Sequence, residues 1–299
     1  MGNTPRILTA YVPFVFVLLW STGFITAKYA LPYIEPFFLL FIRMLLTLAV
    51  FVALALAYRS NWPSPQQAFH QLVTGLLVHA CYLSGVFAAI KWQLPAGITA
   101  IIVGLQPLLT ALLGWQFLNQ KLWARQWLGL LLGLAGVILI LQQGQQANDF
   151  ELQIKAVLAA LLALISISVG TLYQKRFGAG VNLLTGSVYQ YLATAVVTGI
   201  LAFTFETRTV QWNLELALAL GWLVFGLSVS AILLLMHMIR EGESARVASY
   251  FYLVPPVTAL EAWLLFDEKL SALQVAAIGL TVFGVYLVLK RRKSAAPKR

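Results

Sequence analysis

Residues 96–140 read AGITAIIVGLQPLLTALLGWQFLNQKLWARQWLGLLLGLAGVILI, and residues 244–288 read SARVASYFYLVPPVTALEAWLLFDEKLSALQVAAIGLTVFGVYLV. A shift of 148 residues aligns the two stretches without a gap. Matches between leucines or alanines carry little weight in apolar sequence, but less common residue types also coincide: Pro107/Pro255, Trp115/Trp263, Lys121/Lys269, Gln126/Gln274 and Gly136/Gly284. Earlier segments match more faintly at a shift of 147: Ser21/Ser168, Gly23/Gly170, Lys28/Lys175 and Thr47/Thr194. The chain therefore contains two related halves.

The composition is that of a membrane protein. Of the 299 residues, 61% are hydrophobic and only 10% are charged, and the mean hydropathy is +0.85. Soluble domains carry about 25% charged residues, so a soluble domain and a disordered chain are both excluded. At ~20 residues per crossing, ten apolar stretches are long enough to span: 8–29, 35–58, 68–91, 95–118, 125–142, 152–177, 182–205, 214–239, 244–266 and 272–290. We expect all of them to be helices, because a bilayer offers the backbone no water.

The basic residues predict the orientation. With the amino terminus in the cytoplasm, fourteen of the twenty Lys and Arg residues fall on the cytoplasmic side and five fall outside. Cytoplasmic segments of membrane proteins carry an excess of Lys and Arg. We therefore expect both termini in the cytoplasm and a location in the inner membrane. The net charge of +10 belongs to this topology signal, so we expect no nucleic-acid partner.

Two halves of five helices each imply an inverted repeat, because an odd number of crossings turns the second copy upside down. Inverted repeats are typical of secondary transporters, which exchange the conformations of the two halves during transport. The sequence thus predicts an all-α integral membrane protein with ten transmembrane helices around a central cavity. The repeats cover residues 1–145 and 146–290, and residues 291–299 form a basic cytoplasmic tail.

Short motifs in both halves resemble the EamA-type branch of the drug/metabolite transporter superfamily. The repeat ending Pro255-Pro256-Val257-Thr258-Ala259-Leu260, followed by Phe266-Asp267-Glu268-Lys269-Leu270, Gln274 and Gly284-Val285, is similar to the family pattern. The opening Trp20-Ser21-Thr22-Gly23-Phe24, with Lys28-Tyr29-Ala30 and Arg43, is similar to its first two helices. The resemblance implies ten helices in an inverted repeat and export or exchange of small metabolites, as in aromatic and amino-acid exporters.

Prolines occupy matched positions in the two halves. A proline inside a helix removes one backbone hydrogen bond, and corresponding interruptions in two repeats point to the binding site of a transporter. Pro107, Pro255 and Pro256 are therefore predicted to be helix breaks or hinges beside the cavity, although kinks that serve only packing are the alternative. On this interpretation Gln106, Tyr250 and Tyr252 bind substrate.

Two charges are predicted to lie inside the membrane. A central Arg costs about 2.5–3.5 kcal/mol on insertion scales, so Arg43 should face protein or water. At ~1.5 Å per residue, Arg43 and Glu261 lie roughly 12 Å and 9 Å below the outer ends of their helices. A buried pair that joins two helices is one interpretation, and a substrate-carboxylate site or a proton-linked switch is the other.

Further polar and aromatic side chains are candidates for substrate binding. His79 lies near the middle of the third stretch with Tyr82 on the same face, and Trp20 and Ser21 lie at mid-depth in the first. Each has a structural alternative, either a hydrogen-bonded packing pair or close helix contact. The three histidines are too scattered for a metal site, and we expect no metal and no cofactor.

The predicted function is secondary transport of small organic metabolites, such as amino acids or similar amphipathic solutes, by alternating access and in the export direction. The alternative within the superfamily is an exchanger of nucleotide sugars or other metabolites. A polytopic membrane enzyme is the alternative from a different class, but the motifs H-E-x-x-H and G-x-S-x-G are absent from the sequence. The expected partners are a small-molecule substrate and membrane lipids, with a monomer or weak homo-oligomer as the assembly.

Overall fold

The computed structural model describes residues 6–118, 123–143, 150–232, 234, 253–266 and 271–289. Most of the described residues are helical. Within the described ranges the backbone forms no strand, and the pairing of Ile34 with Val210 is an isolated bridge between two loops. The predicted all-α class is confirmed.

Eleven helical segments account for the described ranges. They are α1 Arg6–Ala30, α2 Pro36–Ala57, α3 Pro65–Lys91, α4 Ala96–Val103, α5 Gln106–Leu118, α6 Ala124–Gln143, α7 Phe150–Phe177, α8 Leu183–Phe205, α9 Leu214–Ala231, α10 Val254–Phe266 and α11 Ala272–Leu289. Each of the ten predicted stretches overlaps at least one of them. The predicted span 95–118 is broken in two, because α4 ends at Val103 and α5 begins at Gln106.

Seven stretches of the described residues are long and apolar enough to cross a membrane, and one of them, Ala96–Gln116, combines α4 with most of α5. The helix α10 and part of α11 are shorter apolar helices. Large apolar side chains are exposed on the outside of the bundle, among them Leu56, Phe203, Leu218 and Leu264. A water-soluble surface would not expose so many of them, but lipid is a suitable neighbour. Ten crossings and an inverted repeat stay predictions.

Local sequence explains where several helices begin. Ser64 accepts a hydrogen bond from the backbone N–H of Gln67, whose side chain accepts from the backbone N–H of Ser64, which completes a capping box before α3. Asn182 caps α8 and Asn213 caps α9 through their side-chain oxygens. Pro36 opens α2 at a position where the missing N–H has no intrahelical partner in any case.

One end of the bundle brings together the loops after α1 and α8. The backbone N–H of Gln211 donates to the carbonyl of Tyr33 at 2.9 Å, and Nζ of Lys91 donates to the carbonyl of Leu31 at 3.0 Å. The carboxylate of Glu206 accepts from the first N–H groups of α2, at Phe37 and Phe38. Burial raises the pKa of Glu206, and these two amides partly oppose the rise. This end, the α1–α2 end, therefore holds the ends of α1, α3 and α8 and the starts of α2 and α9.

The opposite end joins a complementary set of helix termini. The hydroxyl of Thr185 at the start of α8 donates to the carbonyl of Asn61, which follows α2. His70 in the first turns of α3 lies 2.7 Å from the hydroxyl of Tyr173 near the end of α7. This end, the α2–α3 end, therefore holds the starts of α3 and α8 and the ends of α2 and α7.

The matched glycines Gly136 and Gly284 lie at the contact between α6 and α11. A Cβ on Gly136 would come within 2.3 Å of the hydroxyl of Thr281 and 2.9 Å of the carbonyl of Ala277. A Cβ on Gly284 would come within 2.6 Å of the carbonyl of Gly129 and 2.8 Å of the backbone N of Gly133. The two helices can pack this closely only because both positions lack a side chain.

The close contact between α6 and α11 predicts different effects on stability when two glycines of α11 are replaced by alanine. Gly284→Ala forces a methyl group against the backbone of α6, and we expect it to lower the stability of the folded protein by about 1–3 kcal/mol. Gly279 has no neighbouring atom within 4 Å of its Cβ position, so Gly279→Ala should be neutral, or stabilising through its better helix propensity. Thermal unfolding of both variants in the same detergent measures the difference, and equal melting temperatures would contradict the packing.

Candidate functional site

A cavity lies between α1, α2, α3, α7, α8 and α9 and is called here the central cavity. Its walls are mostly apolar and aromatic, with contributions from Trp20, Phe24, Tyr82, Phe87 and Tyr191. The polar side chains that line it include those of Arg43, His79 and Ser228. A concave, largely apolar site with a few polar groups is the usual form of a small-molecule site.

Two π-helical segments border the central cavity. One covers Leu76–Cys81 within α3 and carries His79, and the other covers Trp222–Ala231 within α9 and carries Ser228. At the repeat shift of 148 the first segment corresponds to residues 224–229, which lie inside the second. Irregular helical turns of this kind occur frequently at functional sites, and here both halves have one at the same place.

Arg43 is held in the interior by Ser228. Its side chain is 5% exposed, and Nε and Nη2 donate to the hydroxyl of Ser228 at 3.2 Å and 3.0 Å. The bond joins α2 to the π-helical segment of α9. A guanidinium is costly to bury without partners, so this hydroxyl is an important acceptor in the cavity wall.

His79 belongs to a second polar group on the same cavity. Its Nε2 donates to the amide oxygen of Gln190 at 3.1 Å, and the amide nitrogen of Gln190 donates to the side-chain oxygen of Gln71 at 2.7 Å. The ring of Tyr191 stacks on His79 with centroids 4.9 Å apart and on Phe51 with centroids 5.3 Å apart. The histidine is thereby fixed in one orientation by α8.

The two polar pairs occupy corresponding positions in the repeat. Arg43 and Gln190 are related by the shift of 147 residues, and Ser228 is one residue beyond the counterpart of His79 at a shift of 148. Each pair joins the second helix of one half to a π-helical segment of the other half. Gln190, Tyr191 and Ser228 are not among the sequence-based candidates, although the match of Thr47 with Thr194 identified the register that aligns Gln190 with Arg43.

A second cavity adjoins the central cavity and shares Trp20 and Tyr82 with it. Gln106 and Pro255 line this second space. The side-chain nitrogen of Gln106 donates to the hydroxyl of Thr171 at 3.4 Å. The structure thus brings Trp20, His79 and Tyr82 to one cavity, with Gln106 next to it.

Ser21 and Glu261 lie elsewhere. The buried hydroxyl of Ser21 donates to Oε1 of Glu261 at 2.8 Å, and the hydroxyl of Thr258 donates to the carbonyl of Ser21 at 3.4 Å. Both bonds join α1 to α10. Arg43 and Glu261 therefore have separate partners, and the ion pair considered between them is not formed in this structure.

The predicted helix breaks coincide only partly with the prolines. The interruption between α4 and α5 falls at Gly104 and Leu105, just before Pro107, whose side chain lies outside the described residues. Pro255 and Pro256 follow Val254 in the first turn of α10, where a proline removes no intrahelical bond. Pro255 instead packs on Gly104, whose Cβ position is 2.4 Å from Cγ of the proline. Tyr250 and Tyr252 lie outside the described residues.

Comparison with known proteins gives one consistent match. The model of the EamA-like transporter family matches residues 7–142 and again 154–290. The transporter YvbV of Bacillus subtilis is 28% identical over 98% of this chain and 95% of its own length. The inner membrane transporter YedA of Escherichia coli K12 is 26% identical over 92% of this chain and 88% of its own.

Two further matches concern a named efflux protein and the fold. A probable amino-acid metabolite efflux pump of Escherichia coli K12 is 24% identical over 91% of both chains. A solved crystal structure superimposes with a TM-score of 0.67 at 23% identity and covers 95% of this chain and 96% of that chain. This chain shares the fold of that structure, and the relatives given above are named as transporters or as an efflux pump.

The bond between Arg43 and Ser228 predicts a difference between two serines of α9. Ser228→Ala removes the hydroxyl to which the buried guanidinium donates, and we expect a loss of about 1–3 kcal/mol of stability. Ser230 is exposed and bonds only the carbonyl of Phe225 in its own helix, so Ser230→Ala should change stability by less than about 0.5 kcal/mol. Melting temperatures in detergent measure both changes. A loss at Ser230 as large as at Ser228 would contradict the role of the bond.

Proposed function

The chain belongs to the EamA-like transporter family, and we propose that it is a secondary transporter that moves small organic metabolites across the membrane by alternating access. The observation that carries the proposal is the central cavity, whose wall is formed by α1, α2 and α3 from the first half and by α7, α8 and α9 from the second. A site enclosed by both halves can open to either side of the membrane when the halves rock against each other.

Opposite chain directions in corresponding helices support the inverted repeat. The helix α2 starts at the α1–α2 end of the bundle, whereas its counterpart α8 starts at the α2–α3 end, where Thr185 bonds Asn61. Likewise α1 finishes beside Val210 at the α1–α2 end, while its counterpart α7 finishes beside His70 at the α2–α3 end. The opposite directions of these two pairs support the proposed inverted repeat.

The contact between α6 and α11 supports the same relation. Gly136 faces Ala277 and Thr281, and its counterpart Gly284 faces Gly129 and Gly133, which are the counterparts of those two residues. Such reciprocal contacts are the mark of a two-fold axis. From the contact of Gly129 with Gly284 to that of Gly136 with Ala277, the position moves seven residues forward in α6 and seven residues backward in α11. The two helices are therefore antiparallel, and a two-fold axis that relates them is perpendicular to both, as in an inverted repeat.

The polar pairs of the central cavity suggest where the halves separate and rejoin. Arg43–Ser228 and His79–Gln190 both join one half to the other through a π-helical segment. We expect the two contacts to be made and weakened in turn, because corresponding positions of an inverted repeat exchange conformations during transport. Pro107, Pro255 and Pro256 are proposed as hinges near the neighbouring cavity.

The walls of the central cavity favour an amphipathic solute. Trp20 and Tyr82 offer aromatic surface, and His79 and Gln106 offer hydrogen-bonding groups at its edge. The described lining has one guanidinium, whereas a nucleotide sugar would need several cations for its phosphates. Amino acids or solutes of similar size fit better, and a relative is named a probable amino-acid metabolite efflux pump. We propose export across the inner membrane.

Counterflow in proteoliposomes tests the transport function. Liposomes containing the purified protein and loaded with an unlabelled solute should accumulate the same labelled solute faster than empty-loaded ones, because a carrier returns loaded more readily than empty. A panel of amino acids and aromatic carboxylates serves as the solutes. Absence of acceleration for every member of the panel, with product formation instead, would indicate an enzyme.

A pair of substitutions on α9 locates the transport path. Leu227 lines the central cavity, so Leu227→Trp fills space next to Gly23 and should reduce counterflow at least about tenfold. Leu218 is 64% exposed on the same helix, so Leu218→Trp faces lipid and should transport normally. Both proteins are first shown to be monodisperse in detergent. Normal transport by the Leu227 variant would contradict a path through the central cavity.

Labelling of single cysteines tests the inverted topology and its orientation. Cys81 is the one cysteine of the chain, so Cys81→Ser gives a background for Gln66→Cys and Gln211→Cys, which are exposed near the starts of the counterpart helices α3 and α9. In intact cells a membrane-impermeant maleimide should label position 211 but reach position 66 only after permeabilisation. Labelling of both positions from one side would contradict the inverted repeat.

A further inference from the structure

The charges around the central cavity are unbalanced. Arg43 is the charged residue of the described lining, and none of the acidic side chains that the structure describes reaches this wall. Three acidic residues lie at the α1–α2 end of the bundle: Glu35, Glu206 and Glu215. Glu261 on α10 accepts a hydrogen bond from Ser21 on α1. The buried guanidinium has a hydroxyl for a partner and no carboxylate.

Two hydrogen-bond donors on this wall have no acceptor among the described residues. The Nε and Nη2 groups of Arg43 are used by Ser228, but among the described residues nothing accepts from Nη1. The hydroxyl of Tyr82, which lines the same cavity within electrostatic range of Arg43, likewise has no acceptor in the described residues. Both groups can donate to a ligand in the cavity, and an oxyanion supplies acceptors for both.

The rest of the cavity wall indicates the chemistry of the remainder of the ligand. Phe24, Phe87 and Tyr191 present aromatic surface, and Val86 and Ile167 present aliphatic surface. A carboxylate beside Arg43 therefore has an apolar body next to it. An ammonium group on the same ligand would meet the guanidinium and find no carboxylate in the described wall.

We propose that the central cavity binds apolar monocarboxylates, such as aryl- or alkyl-substituted organic acids without an amino group, in preference to zwitterionic amino acids. The proposal rests on the transport function proposed above and narrows its substrate class. Arg43 and Tyr82 hold the carboxylate, and the aromatic wall holds the apolar body. Ser228 positions the guanidinium, leaving Nη1 for the ligand.

Four ligands with the same phenyl body separate the contributions. They are 3-phenylpropionate, its neutral amide 3-phenylpropanamide, the zwitterion L-phenylalanine and the cation 3-phenylpropylamine. Isothermal titration calorimetry of the purified wild-type protein should give a dissociation constant for 3-phenylpropionate about tenfold or more below that of the amide, since a hydrogen bond to a charged group contributes that much. Phenylalanine should bind more weakly than 3-phenylpropionate, and the amine weakest of the four.

Two variants assign the preference to Arg43. Arg43→Gln should bring the dissociation constants of the acid and the amide to within about threefold, because it removes the charge from the wall. Arg59 is exposed in the loop after α2, so Arg59→Gln removes a cation far from the cavity and should leave the preference unchanged. If Arg43→Gln does not fold, the ligand series on the wild-type protein decides alone, because Arg43→Lys keeps the positive charge.

The outcomes separate the anion site from transport. Phenylalanine or the amine binding as tightly as 3-phenylpropionate, or no saturable binding of any of the four, would overturn the proposal. Counterflow of an amino acid, with no preference for 3-phenylpropionate in binding, would overturn the proposed anion site while supporting the transport function. Binding in the expected order without counterflow of 3-phenylpropionate would support the anion site and contradict transport.

Discussion

A guanidinium buried among apolar helices has to be solvated by the protein itself, and the interior of this bundle is arranged around that constraint. Arg43 donates twice to Ser228, and Ser228 lies in a π-helical segment of α9 that belongs to the other half of the chain. The cation therefore holds the halves together at the place where they enclose the central cavity. A polar interior of this kind is expensive in a membrane protein, and residues that maintain it are generally functional.

The repeat makes the two sides of the cavity similar but not equal. Gln190 occupies the position in the second half that Arg43 occupies in the first, and it bonds His79 as Arg43 bonds Ser228. One side thus carries a positive charge and the other a neutral amide. The shared geometry suits the proposed carrier, which opens in two directions, and under that proposal the difference in charge would orient a bound solute.

Some of the residues that line the central cavity can be predicted from the sequence, and others cannot. The sequence predicts Trp20, His79 and Tyr82 as polar or aromatic site residues inside the membrane, and all three line the central cavity. Ser21 was selected for the same reason, but its hydroxyl turns to Glu261 on α10. Depth is set by position along a helix, whereas the direction of a side chain depends on neighbours that are distant in sequence. The partners Ser228 and Gln190 were missed because each belongs to the opposite half.

The sequence alone determined the helical class and the internal repeat. Apolar length and the absence of water in lipid require helices, and the identities at Pro107/Pro255 and Gly136/Gly284 mark the repeat, whatever the packing. Only the tertiary structure decided that α4 and α5 are separate segments, that Arg43 bonds Ser228 instead of Glu261, and that the matched glycines make reciprocal contacts between α6 and α11. Those features depend on which helix faces lie together, and helix–helix contacts between residues far apart along the chain leave no periodic signal in one sequence.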